Sequence, residues 1–252
     1  MTAPARALVA IPGVWTDEWF DNPDAWWAWA CAWAGWSSED WLRFRAAWDR
    51  SGVGRREALA LATGIRFLDW RRVPGGSIRG RVDAAVALLV ADLRAMPIGT
   101  PVTLIGHSKG GNVIKHLLAA DRRAREAGLH PVWEGGGAPA HAVIVCAPVD
   151  PVREVACAAM GLGVRPVRWP GGTPAIPMAT VNNWYDPSGG RLAGVPNYQV
   201  RRWNDHFVPW PPHGMKSFLA RRVLGDLGAL PPPGLPPIPV DLPPGDPVTA
   251  DG

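Results

Sequence analysis

The segment Pro101-Val102-Thr103-Leu104-Ile105-Gly106-His107-Ser108-Lys109-Gly110-Gly111-Asn112 constrains the fold of this chain more than any other. Its first half is β-branched and apolar, as a buried strand would be, and an apolar-periodic helix runs from Val113 through Leu118 to about Ala127. Between them stands G-x-S-x-G. A serine at so sharp a strand-to-helix turn has its hydroxyl lifted above the sheet, while Gly106 and Gly110 let the two arms of the turn pass close together. The helix behind it directs unpaired N–H groups and the positive end of its dipole to the place where an oxyanion would form. Ser108 is the candidate nucleophile.

The rest of the chain alternates strand and helix around this unit. Residues 6–12 read as a first core strand closed by Pro12-Gly13, Ile65 to Trp70 as a second, and Val82 to Leu93 as a crossover helix. Gly135-Gly136-Gly137 is a loop, and Ala142 to Ala147 is a continuous apolar run suited to a strand buried on both faces. Residues 148–175 are Pro- and Gly-rich, enough for a short lid-like loop but not for a cap domain. Ile176 to Trp184 and Tyr198 to Trp203 are the last strands, and Met215 to Leu224 the closing helix. The alternation predicts an α/β fold with a mostly parallel, doubly wound sheet flanked by helices. One domain over residues 1–228 is expected, with a tail at 229–252 in which Pro231-Pro232-Pro233-Gly234-Leu235-Pro236-Pro237 favours polyproline II over a packed core.

Nine of the fifteen tryptophans fall between Trp15 and Trp48. Trp26, Trp29, Trp33 and Trp36 recur at steps of three and four on a helix opened by Asn22-Pro23 and stopped by Gly35. A second helix opens at Ser37-Ser38-Glu39-Asp40 and carries Trp41, Phe44 and Trp48 on one face. Such stripes usually pack on a sheet, and that reading is favoured over an acyl- or polymer-binding surface.

The net charge of +4 is scattered in pairs such as Arg55-Arg56 and Arg201-Arg202, so no basic stripe for nucleic acid forms. Three cysteines, Cys31, Cys146 and Cys157, are too few and too irregular for a disulfide framework or a metal site. No apolar run reaches the ~18 residues of a membrane span. The apolar stretch Ala7 to Ile11 is short for a signal-peptide core, so a cytoplasmic protein is expected. H-E-x-x-H, C-x-x-C and P-loop patterns are missing, and acyl transfer to water requires no cofactor, so neither metal nor cofactor is expected.

Ile11-Pro12-Gly13-Val14-Trp15, the Ser108 elbow, and the segments around Asp186 and His206 together resemble the α/β-hydrolase superfamily, in particular its small lipases and esterases without a large cap domain. The likeness extends over roughly residues 6 to 225. It implies a minimal α/β-hydrolase fold and a Ser–acid–His triad in that chain order. Five histidines follow Ser108. His116 lies on the helix behind the elbow, and His130 and His141 precede a strand at the end away from the site, since ligands meet the carboxyl ends of strands. His206 follows the Tyr198–Trp203 strand through Asn204-Asp205, and Gly194 to Val200 resembles the same region of lidless lipases, so His206 is preferred over His213 as base. Asp186, in Val181-Asn182-Asn183-Trp184-Tyr185-Asp186-Pro187, is the first choice of acid, with Asp150 an alternative and Asp205 facing the wrong way.

The oxyanion hole implied is the backbone of Lys109 together with that of Val14, in a loop where Pro12 replaces the usual histidine. His107 and Lys109 flank the nucleophile and are placed to tune it. The expected function is a serine hydrolase of carboxylic esters, acting on small-molecule or lipid esters with lipophilic acyl groups. The alternatives are an acyltransferase or thioesterase with the same triad, and a non-catalytic hydrolase-like module that binds through its Trp-rich surface. The sequence names no protein partner.

Overall fold

The computed structural model describes residues 6–14, 27–51, 55–169, 174–183, 186, 189–200 and 215–230. Six strands form one sheet: β1 (Ala7–Ile11), β2 (Ile65–Phe67), β3 (Pro101–His107), β4 (Ala138–Val145), β5 (Met178–Asn183) and β6 (Asn197–Val200). Their order is β2-β1-β3-β4-β5-β6 and every pairing is parallel. A parallel pair cannot be closed by a hairpin, so the strands are joined by crossovers, and those from β1 through to β5 bring helices with them.

Those helices are α1 (Trp27–Ala34), α2 (Ser38–Ser51), α3 (Arg55–Thr63), α4 (Gly76–Arg79), α5 (Val82–Arg94), α6 (Lys109–Glu126), α7 (Pro151–Ala159) and α8 (Met215–Asp226). Alternation along β1 shows how the two faces are served. Leu8 and Ala10 join a core with α1, α2, α3 and α8, whereas Ala7, Val9 and Ile11 join a second core with α5 and α6. A strand buried on both faces must read as a continuous apolar run, as β1 does.

The tryptophan stripe belongs to the first core. Trp29, Trp33, Trp36, Trp41 and Trp48 are all buried, and Trp36 and Trp41 flank Phe44 at ring centroid separations of 5.2 and 5.4 Å. Every residue of α1 from Trp29 to Ala34 is buried, so this helix is enclosed all round rather than along one face. Trp33 donates its indole N–H to the Thr63 carbonyl at 3.1 Å, and the Arg6 guanidinium lies 4.0 Å over its ring. These five residues are therefore core, not surface, while Trp15, Trp19 and Trp26 lie outside the described residues. The expected start of α2 is a reciprocal cap: Ser37 N–H donates to Asp40 and Asp40 N–H donates to the Ser37 hydroxyl.

The structure corrects several local expectations. The second strand ends at Phe67, and Trp70 sits in a 3₁₀ turn, Trp70–Arg72, capped by the Asp69 side chain. β4 begins at Ala138, places His141 within the strand, and stops at Val145. Residues 148–175 are not only loop, because Asp150 caps α7 and Pro151 occupies its first turn. Helix α3 had no counterpart in the sequence reading. Packing continues past α8, where Ala229 is buried and its carbonyl accepts from Arg6 at 3.2 Å. All three cysteines are buried free thiols, and burial pushes Cys31 up to about 12. No helix among the described residues is long and apolar enough to cross a membrane.

Candidate active site

The turn between β3 and α6 holds Ser108 at φ 52° and ψ −123°, a conformation an L-residue adopts only under constraint. Two backbone bonds supply part of that constraint. Ser108 N–H donates to the Val145 carbonyl of β4 at 2.9 Å, and its own carbonyl accepts from Gly111 N–H at 3.0 Å. The glycines supply the rest. A Cβ on Gly106 would stand 2.5 Å from the Gly110 carbonyl oxygen, and one on Gly110 would stand 2.0 Å from that of Ile11. Neither contact is sterically possible, so strand, helix and the end of β1 come together only because both positions lack side chains.

The loop after β1 closes on the serine. A Cβ on Gly13 would lie 2.5 Å from Ser108 Cβ and 3.1 Å from its Oγ. Pro12 and Gly13 are buried and Val14 is half-buried. The buried Trp70 holds this loop from beneath by donating its indole N–H to the Pro12 carbonyl at 2.9 Å. The loop that carries Val14 thus packs against Ser108 through Gly13, and Lys109 follows Ser108 as the first residue of α6.

The Lys109 side chain turns away from the serine. It is 2% exposed, and its ammonium donates to the carbonyls of Ser77 at 3.1 Å, Ile78 at 3.2 Å and Gly80 at 2.5 Å. The Trp70 ring centroid lies 5.0 Å from the same nitrogen. Burial pushes Lys109 down to about 8, with Cys157 acting in the opposite direction. His107 is buried at the end of β3.

Across β4, Asp186 follows β5 at the same carboxyl edge of the sheet, two strand spacings, or roughly 10 Å, from the line of β3. It is 6% exposed and sits in a tight turn in which its N–H donates to Asn183 at 3.1 Å and its carbonyl accepts from Gly189 at 3.2 Å. Asp150 is engaged otherwise. It accepts from Arg153 N–H as the cap of α7 and pairs with the Arg153 guanidinium. Burial pushes its carboxyl up, but the Arg153 bonds prevail and hold it below the usual range. Asp150 and Asp186, with Arg153, Asn182, Arg191 and Gln199, line an open cleft of about 370 Å³. His206, His213 and Asp205 lie outside the described residues.

The loop leaving β4 ties these halves together through groups that the sequence reading did not single out. Its three carbonyls are all engaged: Ala147 by Gly190 N–H at 2.7 Å, Pro148 by the Asn112 side chain at 2.8 Å, and Val149 by Lys115 at 2.7 Å. Lys115 also meets Glu154 at 2.7 Å, with the two side chains 1% and 0% exposed. Cys146, at the head of this loop, has φ 45° and donates its N–H to Val181 of β5 at 2.8 Å. Asn112 and Lys115, polar residues three apart on an apolar helix face, were the available signal. His116, on the outer side of α6, bonds the Arg165 carbonyl at 2.8 Å, and burial pushes it down. Among the described residues no cluster of His, Cys, Asp and Glu could hold a metal ion.

No protein-family model matches the chain, and no curated protein matches its sequence. Among solved structures it is similar to a YdeN-like hydrolase from Pectobacterium atrosepticum (15% identity, 89% of this chain and 92% of that one, TM-score 0.48). It is also similar to the type II thioesterase BorB from the borrelidin biosynthetic cluster (16% identity, 88% and 92%, TM-score 0.43) and to the RedJ thioesterase of the prodiginine pathway in Streptomyces coelicolor (14% identity, 88% and 90%, TM-score 0.41). Likenesses this remote carry no argument about this chain, so its chemistry must be argued from its own residues. The described residues form six parallel strands flanked by helices, with a strained serine between the third strand and the following helix, the α/β arrangement that the resemblance to the α/β-hydrolase superfamily implies.

Proposed function

We propose that this protein is a serine hydrolase that cleaves carboxylic esters through an acyl-enzyme. Ser108 is the nucleophile, His206 the base, Asp186 the acid that orients it, and the backbone N–H groups of Lys109 and Val14 are the oxyanion donors. The observation that carries the reading is the strained Ser108, with Gly13 pressed against its Cβ. Backbone strain held by so many contacts is typical of functional sites, and in this reading the two neighbouring backbone segments are the donors.

In this mechanism His206 takes the Ser108 proton as Oγ bonds to the ester carbonyl carbon. The carbonyl electron pair moves onto oxygen, where the two N–H groups stabilise it. Collapse restores the carbonyl, breaks the bond to the alcohol oxygen, and returns the proton to that oxygen. Water then repeats the sequence on the acyl-enzyme and releases the acid. Asp186 favours the imidazolium that exists in between.

Trp29, Trp33, Trp36, Trp41 and Trp48 are spent on the core, and the described cleft beside Asp186 is lined by charged and amide side chains. A fluorophosphonate probe should label the protein at Ser108, and Ser108→Ala should lower ester turnover by about 10³-fold or more with the fold intact. Undiminished turnover in that variant would sink the assignment. A nitrophenyl ester series measures the acyl preference: kcat/KM rising with length, each buried methylene contributing about 0.8 kcal/mol, supports lipophilic acyl groups.

A further inference from the structure

We infer that Lys109 and Trp70 are positioning residues for the oxyanion hole, a linked pair that sets the spacing of its two donors. This rests on the serine hydrolase reading above and adds two side chains to it. The two donors belong to segments remote in sequence, the loop at Pro12–Val14 and the first turn of α6, and no described hydrogen bond joins Val14 directly to Lys109. Each segment is instead fixed to the stretch between β2 and α5. Trp70 takes the Pro12 carbonyl at 2.9 Å, two residues before Val14. Lys109 reaches into the same stretch and takes the carbonyls of Ser77, Ile78 and Gly80. The 5.0 Å approach of its ammonium to the Trp70 ring joins the two anchors into one unit.

The chemistry of the ammonium suits this role. Three N–H groups meet three carbonyls and the indole face takes the remaining side, so a cation is held in a buried site by neutral acceptors. The stretch that receives it is itself anchored. Val82 N–H donates to the Gly163 carbonyl at 3.0 Å, and a Cβ on Gly163 would stand 2.4 Å from the Gly80 carbonyl oxygen. The residue that offers the first donor N–H thus has its own side chain pinned, and through Trp70 the same pin reaches the loop of the second donor. Oxyanion donors stabilise charge only where their separation matches the developing tetrahedral centre, so loosening either anchor should act on the transition state rather than on ground-state binding.

The test compares Trp70→Phe, which deletes the indole donor and keeps an aromatic ring, with Lys109→Met and Lys109→Arg, using nitrophenyl butyrate as substrate. Phenylboronic acid, which forms a tetrahedral adduct on a serine hydroxyl, is the transition-state probe. We expect kcat to fall by about 10- to 100-fold in Trp70→Phe and Lys109→Met with KM within about threefold of wild type, and boronate affinity to fall in step with kcat. Lys109→Arg should recover part of the loss. Wild-type kcat and boronate affinity in folded Trp70→Phe, alongside fluorophosphonate labelling of Ser108 in wild type, would overturn the inference and leave the hydrolase reading standing. Absence of labelling in wild type would instead overturn both. If Lys109→Met does not fold, Trp70→Phe decides alone.

Discussion

The first and second turns of α6 each bury a lysine, and they do so by opposite means. Lys109 binds three neutral carbonyls and an indole ring, with no carboxylate against it among the described residues, while Lys115, six residues on, is paired with Glu154 and donates to one carbonyl. Both side chains are almost fully buried. Beside Ser108 the cation organises backbone by binding the carbonyls of residues 77–80, which on the proposed mechanism adds no negative charge near the oxyanion. Beneath the β4 exit loop, a full charge pair bolts α7 to α6, and Glu154 also accepts from Val167 N–H at 3.3 Å. Burial favours the neutral form of both partners there, pushing Lys115 down and Glu154 up, with the contact between them working against it.

The largest effect should come from breaking the pair. Lys115→Met leaves Glu154 buried without its cation and should cost about 3–5 kcal/mol in urea unfolding. The double variant Lys115→Met/Glu154→Leu should recover most of that loss, and an additive loss instead would show that the pair is not what matters there. Lys109→Met should cost less, about 1–3 kcal/mol, because it strands carbonyls rather than a charge. A loss equal to that of Lys115→Met would erase the distinction between the two turns.

The smallest effect is the pH dependence of Lys109. Burial pushes it from 10.5 to about 8, and Cys157 on α7 is the titratable group whose charge reaches it. Between those values the unfolded chain holds more protons than the folded one, so this group makes the folded chain more stable as pH rises from about 8 to 10.5 and contributes no slope below that window. Turnover should move the other way. A neutral amine has two N–H groups for three carbonyls, so kcat should decline above pH 8 while unfolding midpoints, measured relative to Lys109→Met, rise. A kcat profile identical in wild type and Lys109→Met through pH 7 to 9.5 would separate this titration from the site.

The Ser108 elbow was legible because its cause is local. Strand residues, two small glycines and a helix follow one another within about twenty residues, and Gly106 is required by its close approach to Gly110, although the fit of Gly110 against Ile11 is a tertiary contact. The helical spacing of Trp29 and Trp33 was legible for the same reason, and so was the Ser37–Asp40 cap, whereas Trp36 lies beyond the end of α1. Helix α7 was missed although Asp150-Pro151 is a helix-opening signal, because the Pro- and Gly-rich stretch beyond it dominated the reading. The partners of the two lysines were out of reach. Lys115 meets Glu154 across 39 residues and Lys109 meets Gly80 across 29, and sequence periodicity says nothing about contacts at such range.

The sequence by itself therefore determined the parallel α/β plan, the strained serine and the helices that carry tryptophan, since each follows from backbone sterics and apolar patterning over one or two turns of chain. Only the tertiary structure decided which surface the tryptophans cover, that Asp150 is spent on Arg153 and the cap of α7, and that Lys109 points away from Ser108 into the carbonyls of residues 77–80. A buried polar group is settled by whichever partner the packed sheet delivers to it, and that delivery depends on the order and spacing of strands rather than on neighbours in the chain.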